Sequence, residues 1–194
     1  MYNASVHIEA FVIRKRPVRE HDQLVVLYSR ELGKLTAVAK GSLRNRSAQA
    51  LALDEGNRIR CELVTGRIGP ILTGTQAIHA AGGAKHSPLS WAVCQFFLQA
   101  LDVLVYDGQP DGQVWSCLED VWRAVDDCRD TDILAVFRRG QRDLLAALGY
   151  GLRYADADAS APDRSGLDAE FEMIAQRRLS AIDLVYDVAA RRQT

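Results

Sequence analysis

The first half of the chain alternates apolar and polar residues, which is the pattern of strands with one buried face. The clearest run extends from Gly33 to Arg46. Its inward positions are Leu35, Ala37, Ala39 and Leu43, and its outward positions are Lys34, Thr36, Lys40, Ser42 and Arg44. Four further runs of this kind occupy residues 6–18, 23–30, 57–65 and 71–80, and Gly74 marks a bulge or bend in the last. Five short antiparallel strands, with one irregular connection between the third and fourth, predict a closed barrel of the OB type.

The second half of the chain changes to the 3.6-residue spacing of helices. Apolar residues at this spacing predict helices over 89–106, 114–125 and 133–148. Residues 167–192 form one long helix or two, because Ser180 and Asp183 have the spacing of a capping box. We therefore predict an α+β chain with an OB-type domain at 1–80 and an all-helical domain at 86–194, the latter containing an exposed loop at 154–166.

The most apolar segment, Leu89 to Tyr106, is predicted to be a buried helix rather than a membrane span. Gln95, Gln99 and Asp102 form a polar stripe along it, which the bilayer core disfavours. The N-terminus lacks the basic and apolar regions of a secretory signal. We expect a cytoplasmic protein with reduced thiols.

Charge is divided unevenly along the chain, although its formal net charge is only -1. Residues 1–80 hold twelve Lys and Arg against seven Asp and Glu, a net charge of +5, whereas residues 81–194 have a net charge of -6. Nine of the cations lie within residues 14–46. A basic barrel suits a polyanion such as nucleic acid. The alternative is a structural adaptor whose charge serves solubility alone.

Motifs of covalent chemistry are absent from the sequence. It has no P-loop, nucleophile elbow, H-E-x-x-H or dinucleotide-binding glycine motif. The four cysteines are at least 11 residues apart, which excludes C-x-x-C zinc spacing. The aspartates around residue 130 flank a helix start, where carboxylates are favoured. We expect a binding protein that is not an enzyme and has no metal or cofactor.

Two stretches resemble the RecO family of bacterial recombination mediators. The first is the strand that ends in Arg14-Lys15-Arg16-Pro17, followed by Glu20 and then LVVLYSRELGKLTAVAKGSLRNR. The second is FRRGQRDLLAALGY, residues 137–150. The similarity covers residues 6–80 well, 89–150 moderately and the part beyond Tyr154 weakly. There the chain is shorter than typical members and lacks the cysteines that bind zinc in many of them.

The resemblance implies a DNA repair protein of the nucleoid that binds single- and double-stranded DNA through its barrel and anneals complementary strands. It also implies that the helical domain binds the acidic C-terminal tail of single-strand-binding protein, that RecR is a partner and that loading of RecA is assisted indirectly. By position, the implied DNA contacts are Arg14, Arg16, Arg19, Lys34, Lys40, Arg44 and Arg46. The implied tail contacts are Arg138 and Arg139, in a pocket lined by the second and third helices.

A second hypothesis for the same residues is an RNA-binding OB module with a helical protein-interaction domain. The basic strands contain few aromatic residues, chiefly Phe11 and Tyr28. Contacts to phosphates are therefore expected to outweigh base stacking, and phosphates are common to DNA and RNA.

Overall fold

The computed structural model describes residues 5–44, 47–85, 87–128, 132–150 and 166–191. The strands are β1 Ser5–Pro17, β2 Gln23–Ser29, β3 Gly33–Ala39, β4 Arg58–Thr65 and β5 Pro70–His79. The helices are α1 Ala48–Ala52, α2 Gly82–Lys85, α3 Pro88–Leu104, α4 Gly112–Asp127, α5 Ile133–Ala147, α6 Gly166–Ala175 and α7 Ser180–Ala190. The described residues belong to two compact units. The first contains the strands and α1 together with Val105–Asp111, and the second contains α2 to α7.

The five strands close into a barrel in the order β1-β2-β3-β5-β4. All neighbours are antiparallel except β3 and β5, which pair in parallel through Val38 with Ile71 and Ala39 with Leu72. This order is that of an OB-type barrel, so the predicted fold class is confirmed: a five-stranded barrel followed by helices.

Three shifts in the pairing register bend the long strands of the barrel. In β1 the pairing with β2 shifts between Val12 and Arg14. In β5 one shift lies opposite Arg58 and Ile59, and the other occurs next to Gly74, which pairs with Glu62. The bulge or bend predicted at Gly74 is thus confirmed. Bulges of this kind allow a strand to turn from one neighbour to another in a small barrel.

The barrel core consists of the inward residues of every strand, with Ala52 and Leu53 from the end of α1 added to them. Asn57, which is 4% exposed, connects α1 to this core. Its side-chain amide donates to the carbonyls of Leu51 and Ala52, and its Oδ1 accepts a hydrogen bond from the backbone N–H of Ala81. The buried amide is thus fully bonded, as burial of a polar group requires.

The third strand is shorter than the alternation predicted. β3 ends at Ala39, and Lys40 to Arg44 form a turn. The Ser42 hydroxyl is buried and donates to the Ala39 carbonyl, whereas Leu43 is 38% exposed. The inward position predicted for Leu43 and the outward position predicted for Ser42 were therefore wrong, because the chain leaves the sheet before either residue.

In the helical unit, the nearly apolar α3 is the central helix. Phe96 packs edge-to-face with Phe97, Phe137 and Phe171, with ring centroids 4.9–5.1 Å apart. Such contacts join α3 to α5 and α6. None of the described helices has the length and hydropathy that a membrane span requires.

The C-terminal helical pattern forms two helices, α6 and α7, and not one. The predicted capping box is absent, because the start of α7 has no side-chain cap of its own. The Gln99 amide of α3 takes this role instead. Its Oε1 accepts from the backbone N–H of Ala181 at 3.0 Å and its Nε2 donates to the Ser180 hydroxyl at 3.1 Å. The loop predicted at 154–166 lies outside the described residues up to 165, and Gly166 begins α6.

Candidate nucleic-acid interface

The register of the barrel places Arg14 and Arg16 on one outer face. Arg14 pairs with Val26, which pairs with Thr36 on β3. Arg16 pairs in the same way with Leu24, and Leu24 with Val38. Directly paired residues share a face, and both arginines are exposed. The first three strands therefore present two arginines toward solvent next to the end of β1.

Two loops at that end of the barrel are joined by hydrogen bonds. The Leu43 N–H donates to the His21 carbonyl at 3.0 Å, and the Gly41 N–H donates to Asp22 Oδ1 at 2.8 Å. These bonds hold the β1–β2 loop, which contains Arg19, against the turn after β3, which contains Lys40 and Arg44. All three cations are exposed. Gly41 has a φ of +65°, which favours glycine, and the Arg44 side chain lies against it.

Four of these cations make no ion pair within the described part of the chain: Arg16, Arg19, Lys40 and Arg44. Other barrel cations are neutralised. Lys15 binds Asp54 at 2.6 Å, and Arg58 and Arg60 bind Glu9 at 3.2 and 2.9 Å. The Arg60 hydrogen bond, with the charges of both arginines, lowers the pKa of Glu9. Uncompensated positive charge is thus concentrated where the two loops meet. We call Arg16, Arg19, Lys40 and Arg44 the cationic end.

Lys34 does not join the cationic end. Its ammonium lies 3.5 Å from Asp107, and its side chain is only 12% exposed. Its carbonyl accepts a hydrogen bond from the Gly108 N–H at 2.8 Å. Residues 105–111 therefore cover this part of β3, a contact that the sequence did not predict. Arg46, the last of the predicted contacts, lies outside the described residues.

The two aromatic residues of the basic strands are buried. Phe11 is 1% exposed and Tyr28 is fully buried. The Tyr28 hydroxyl donates to the Asp111 carbonyl at 3.2 Å, and burial raises the pKa of Tyr28 to about 12. Neither ring can stack on a base in this conformation, which agrees with the expectation that phosphate contacts predominate.

The helical unit has a groove of about 520 Å³ between α4 and α5, the second and third of the helices predicted from the sequence. Arg139 lines this groove; its side chain is 79% exposed and lies 3.7 Å from Asp143. Arg123, also in the lining, lies 2.9 Å from Asp120. The lining includes four aspartates: Asp120, Asp127, Asp132 and Asp143. A carboxylate ligand would have to compete with Asp143 for Arg139.

Arg138 lies elsewhere, although it neighbours Arg139 in sequence. It is 1% exposed, and its Nη1 donates to both Asp168 carboxylate oxygens at 3.0–3.1 Å and to Gln141 Oε1 at 3.0 Å. Its Nη2 donates to the Tyr186 hydroxyl, which donates in turn to Asp168 at 2.6 Å. The structure therefore places Arg138 in a buried network within the helical unit, and only Arg139 of the predicted pair lines the groove.

Sequence reasoning missed the partners of Arg138, because Asp168 and Tyr186 lie 30 and 48 residues further along the chain. It also missed Asp107 as the partner of Lys34. In the described ranges, no group of three or more His, Cys, Asp and Glu side chains is placed to hold a metal ion.

Comparison with known proteins finds a family model that matches the barrel. Residues 1–87 match the family model described as "Recombination protein O N terminal". Curated proteins named "DNA repair protein RecO" are also similar. The one from Symbiobacterium thermophilum is 28% identical over 55% of this chain and 42% of its own length. The one from Pelotomaculum thermopropionicum is 27% identical over 73% of this chain and 54% of its own length. The chain thus spans about half the length of the curated relatives it matches.

Proposed function

Because this chain belongs to the RecO family through its N-terminal domain, we propose that it is a DNA-binding recombination mediator. It binds and anneals single-stranded DNA and helps to load recombinase on strands coated by single-strand-binding protein. It is a binding protein and not an enzyme, and it acts in the cytoplasm at the nucleoid. The observation that supports this proposal best is the cationic end, where four exposed cations have no carboxylate partner in the described residues.

The cationic end binds DNA by contacting phosphates. Each contact releases counterions from the strand, so affinity falls as salt rises, by a slope of about 0.7 per phosphate on single strands. The same charges lower the repulsion between two strands that are held on one protein surface. Strand annealing follows from this screening without any covalent chemistry.

The first prediction concerns Lys40 and Arg44, which lie in the turn after β3. Replacing both by Gln removes two phosphate contacts, and we expect affinity for a single-stranded oligonucleotide to fall about 25-fold in about 0.1 M salt. Fluorescence anisotropy measures this directly.

The charge-matched control replaces two exposed cations of the helical unit, Arg177 and Arg178, also by Gln; Arg178 lies 3.2 Å from Asp183. Both variants have the same total charge. Equal losses of affinity in the two would contradict the cationic end as the DNA-binding surface.

We further propose that the helical unit docks on the acidic tail of single-strand-binding protein, with RecR as a second partner and RecA as an indirect one. Arg139 lines the α4–α5 groove and would bind the terminal carboxylate in place of Asp143, because a guanidinium binds carboxylates bidentately. Docking would raise the concentration of the cationic end near coated DNA.

The second prediction follows from the competition between Asp143 and an incoming carboxylate. Asp143→Asn should tighten binding of a tail peptide, because it releases Arg139, and Arg139→Ala should weaken it. Anisotropy of a labelled tail peptide measures both changes. If neither substitution alters the affinity, the tail does not bind at Arg139.

RNA binding is the second candidate function. With Phe11 and Tyr28 buried, binding depends on phosphate contacts, and these do not distinguish DNA from RNA. The barrel is therefore as well suited to RNA as to DNA. Competition between DNA and RNA oligonucleotides of one sequence separates the two. The mediator proposal requires that DNA compete at least as well as RNA.

A strand-annealing assay with and without single-strand-binding protein tests the proposal as a whole. A mediator accelerates annealing in both conditions. Acceleration that is lost on coated strands would leave DNA binding in place and would contradict the mediator function.

A further inference from the structure

The tip of the β4–β5 hairpin exposes an apolar side chain beside a cation. Ile68 is 88% exposed, the highest value among the large apolar side chains of the described chain. Arg67 precedes it and is also exposed. Single exposed apolar residues are common, so the significance of Ile68 depends on how the tip is built and on what surrounds it.

The turn that presents Ile68 is tight. The Gly66 N–H donates to the Gly69 carbonyl at 3.0 Å. A Cβ at Gly66 would lie 2.6 Å from that carbonyl oxygen and from the Ile71 Cδ1 atom. The base of the turn is therefore filled by Ile71, and the hairpin holds residues 67 and 68 at its outer end.

The parallel pairing of β3 and β5 joins the strand that follows this tip to the end of β3. Val38 pairs with Ile71 and Ala39 with Leu72. Leu72 therefore lies beside Ala39, the residue directly before Lys40 of the cationic end. Ile68 lies four residues before Leu72, which is at most about 13 Å of chain at about 3.3 Å per residue. One strand of nucleic acid can therefore reach both the tip and the cationic end.

We propose that Ile68 is a wedge that inserts between adjacent bases of the bound DNA, while Arg67 contacts a phosphate of the same step. This inference rests on the proposed function. Apolar side chains such as Ile insert between base steps and unstack them, with cations on the adjoining backbone. Since Phe11 and Tyr28 are buried, the tip supplies the contact to bases that the barrel face itself lacks. Unstacking costs least in single strands, so the wedge favours them over duplexes.

The wedge also suits annealing. A strand whose phosphates lie on the cationic end and whose bases are parted at Ile68 has base edges exposed for pairing with a complementary strand. Arg67 adds one phosphate contact to those of the cationic end.

The test uses the full chain and a single-stranded oligonucleotide that contains 2-aminopurine, whose fluorescence rises when the base is unstacked. We expect the wild-type protein to raise the emission on binding. Ile68→Ser should lose this rise and keep the salt dependence of affinity. Arg67→Gln should reduce the salt slope by about 0.7 and the affinity about fivefold in about 0.1 M salt.

The matched control is Ile78→Ser. Ile78 is also an exposed isoleucine, at 41%, and lies near the other end of β5, about 30 Å along the strand at about 3.3 Å per residue. It should behave as wild type. A rise in emission that survives Ile68→Ser would overturn the wedge, and so would wild-type binding without any rise; the tip would then be a protein contact or a bare turn. Absence of salt-dependent binding by the wild type would instead overturn the proposed function itself.

Discussion

Arg138 and Arg139 are neighbours on α5 and lie in opposite environments. Arg138 is buried and bonded to Asp168, Gln141 and Tyr186, whereas Arg139 is 79% exposed beside Asp143. A buried guanidinium requires a carboxylate because its charge is costly without water. The same residue type therefore serves the packing of α6 and α7 on α5 at one position and remains available to a ligand at the next.

The third prediction compares the two pairs. Asp168→Asn leaves the buried Arg138 charge uncompensated, and we expect the free energy of unfolding to fall by about 3–5 kcal/mol. Asp143→Asn removes a solvent-exposed pair and should cost less than about 1 kcal/mol. Urea denaturation measures both. Losses of similar size would contradict the assignment of Arg138 to a buried network.

The sequence predicted a role for both arginines but could not separate them. A helical period assigns Arg138 to a face only approximately, and its carboxylate partner Asp168 lies 30 residues further along the chain. Cys94 and Cys117 lie among apolar residues in the sequence, and both are buried, as is Cys61.

The fourth prediction concerns these thiols. Burial raises the pKa of Cys61 and of Cys117 to about 12, so both are neutral as well as inaccessible at pH 8. Cys128 is only partly buried. A thiol-alkylating reagent should therefore modify Cys128 first in the native protein and all four cysteines in denaturant, as mass spectrometry of peptides would show. Early modification of Cys61 or Cys117 would contradict the packing of the barrel or of the helical unit.

At the scale of elements, the segment Val105–Asp111 packs with the barrel although it follows α3 in the chain. Gly33 makes this possible. It has a φ of +68°, and a Cβ there would lie 2.3 Å from the backbone of Gln109. Gly33 thus serves both the turn into β3 and the approach of a remote segment.

The fifth prediction compares two glycines with similar φ. Gly41→Ala meets only the flexible Arg44 side chain, at 3.6 Å, and should cost about 1–2 kcal/mol for the left-handed backbone. Gly33→Ala meets backbone that cannot move aside, and we expect a further loss of about 1–3 kcal/mol. Thermal or urea unfolding measures the difference. Equal costs would mean that residues 105–111 do not pack against β3.

Strands and helices were predictable where local patterning decides them, and less so where remote groups do. The alternation identified all five strands because one face of each is buried in the barrel core. It did not predict the end of β3 at Ala39, because Asp22 and His21 hold the following turn. It did not settle the break between α6 and α7, where Gln99 of a distant helix caps the second.

At the scale of the whole molecule, the count of charged residues predicted a basic barrel. It did not predict which of the barrel cations have carboxylate partners. Lys15, Lys34, Arg58 and Arg60 all have carboxylate partners. Four of the remaining cations, Arg16, Arg19, Lys40 and Arg44, lie at the cationic end, where hydrogen bonds join two loops. The sequence alone cannot show which cations are paired, since each of these ion pairs joins residues that are distant along the chain.

The most direct test of the account is the salt dependence of single-stranded DNA binding by the wild type and by a variant with Gln at Arg16, Arg19, Lys40 and Arg44. If these four cations contact phosphates, the logarithm of affinity falls with the logarithm of salt more steeply in the wild type, by a difference in slope of about 3. Equal slopes for the two proteins would show that the cationic end does not contact DNA and would contradict the central claim.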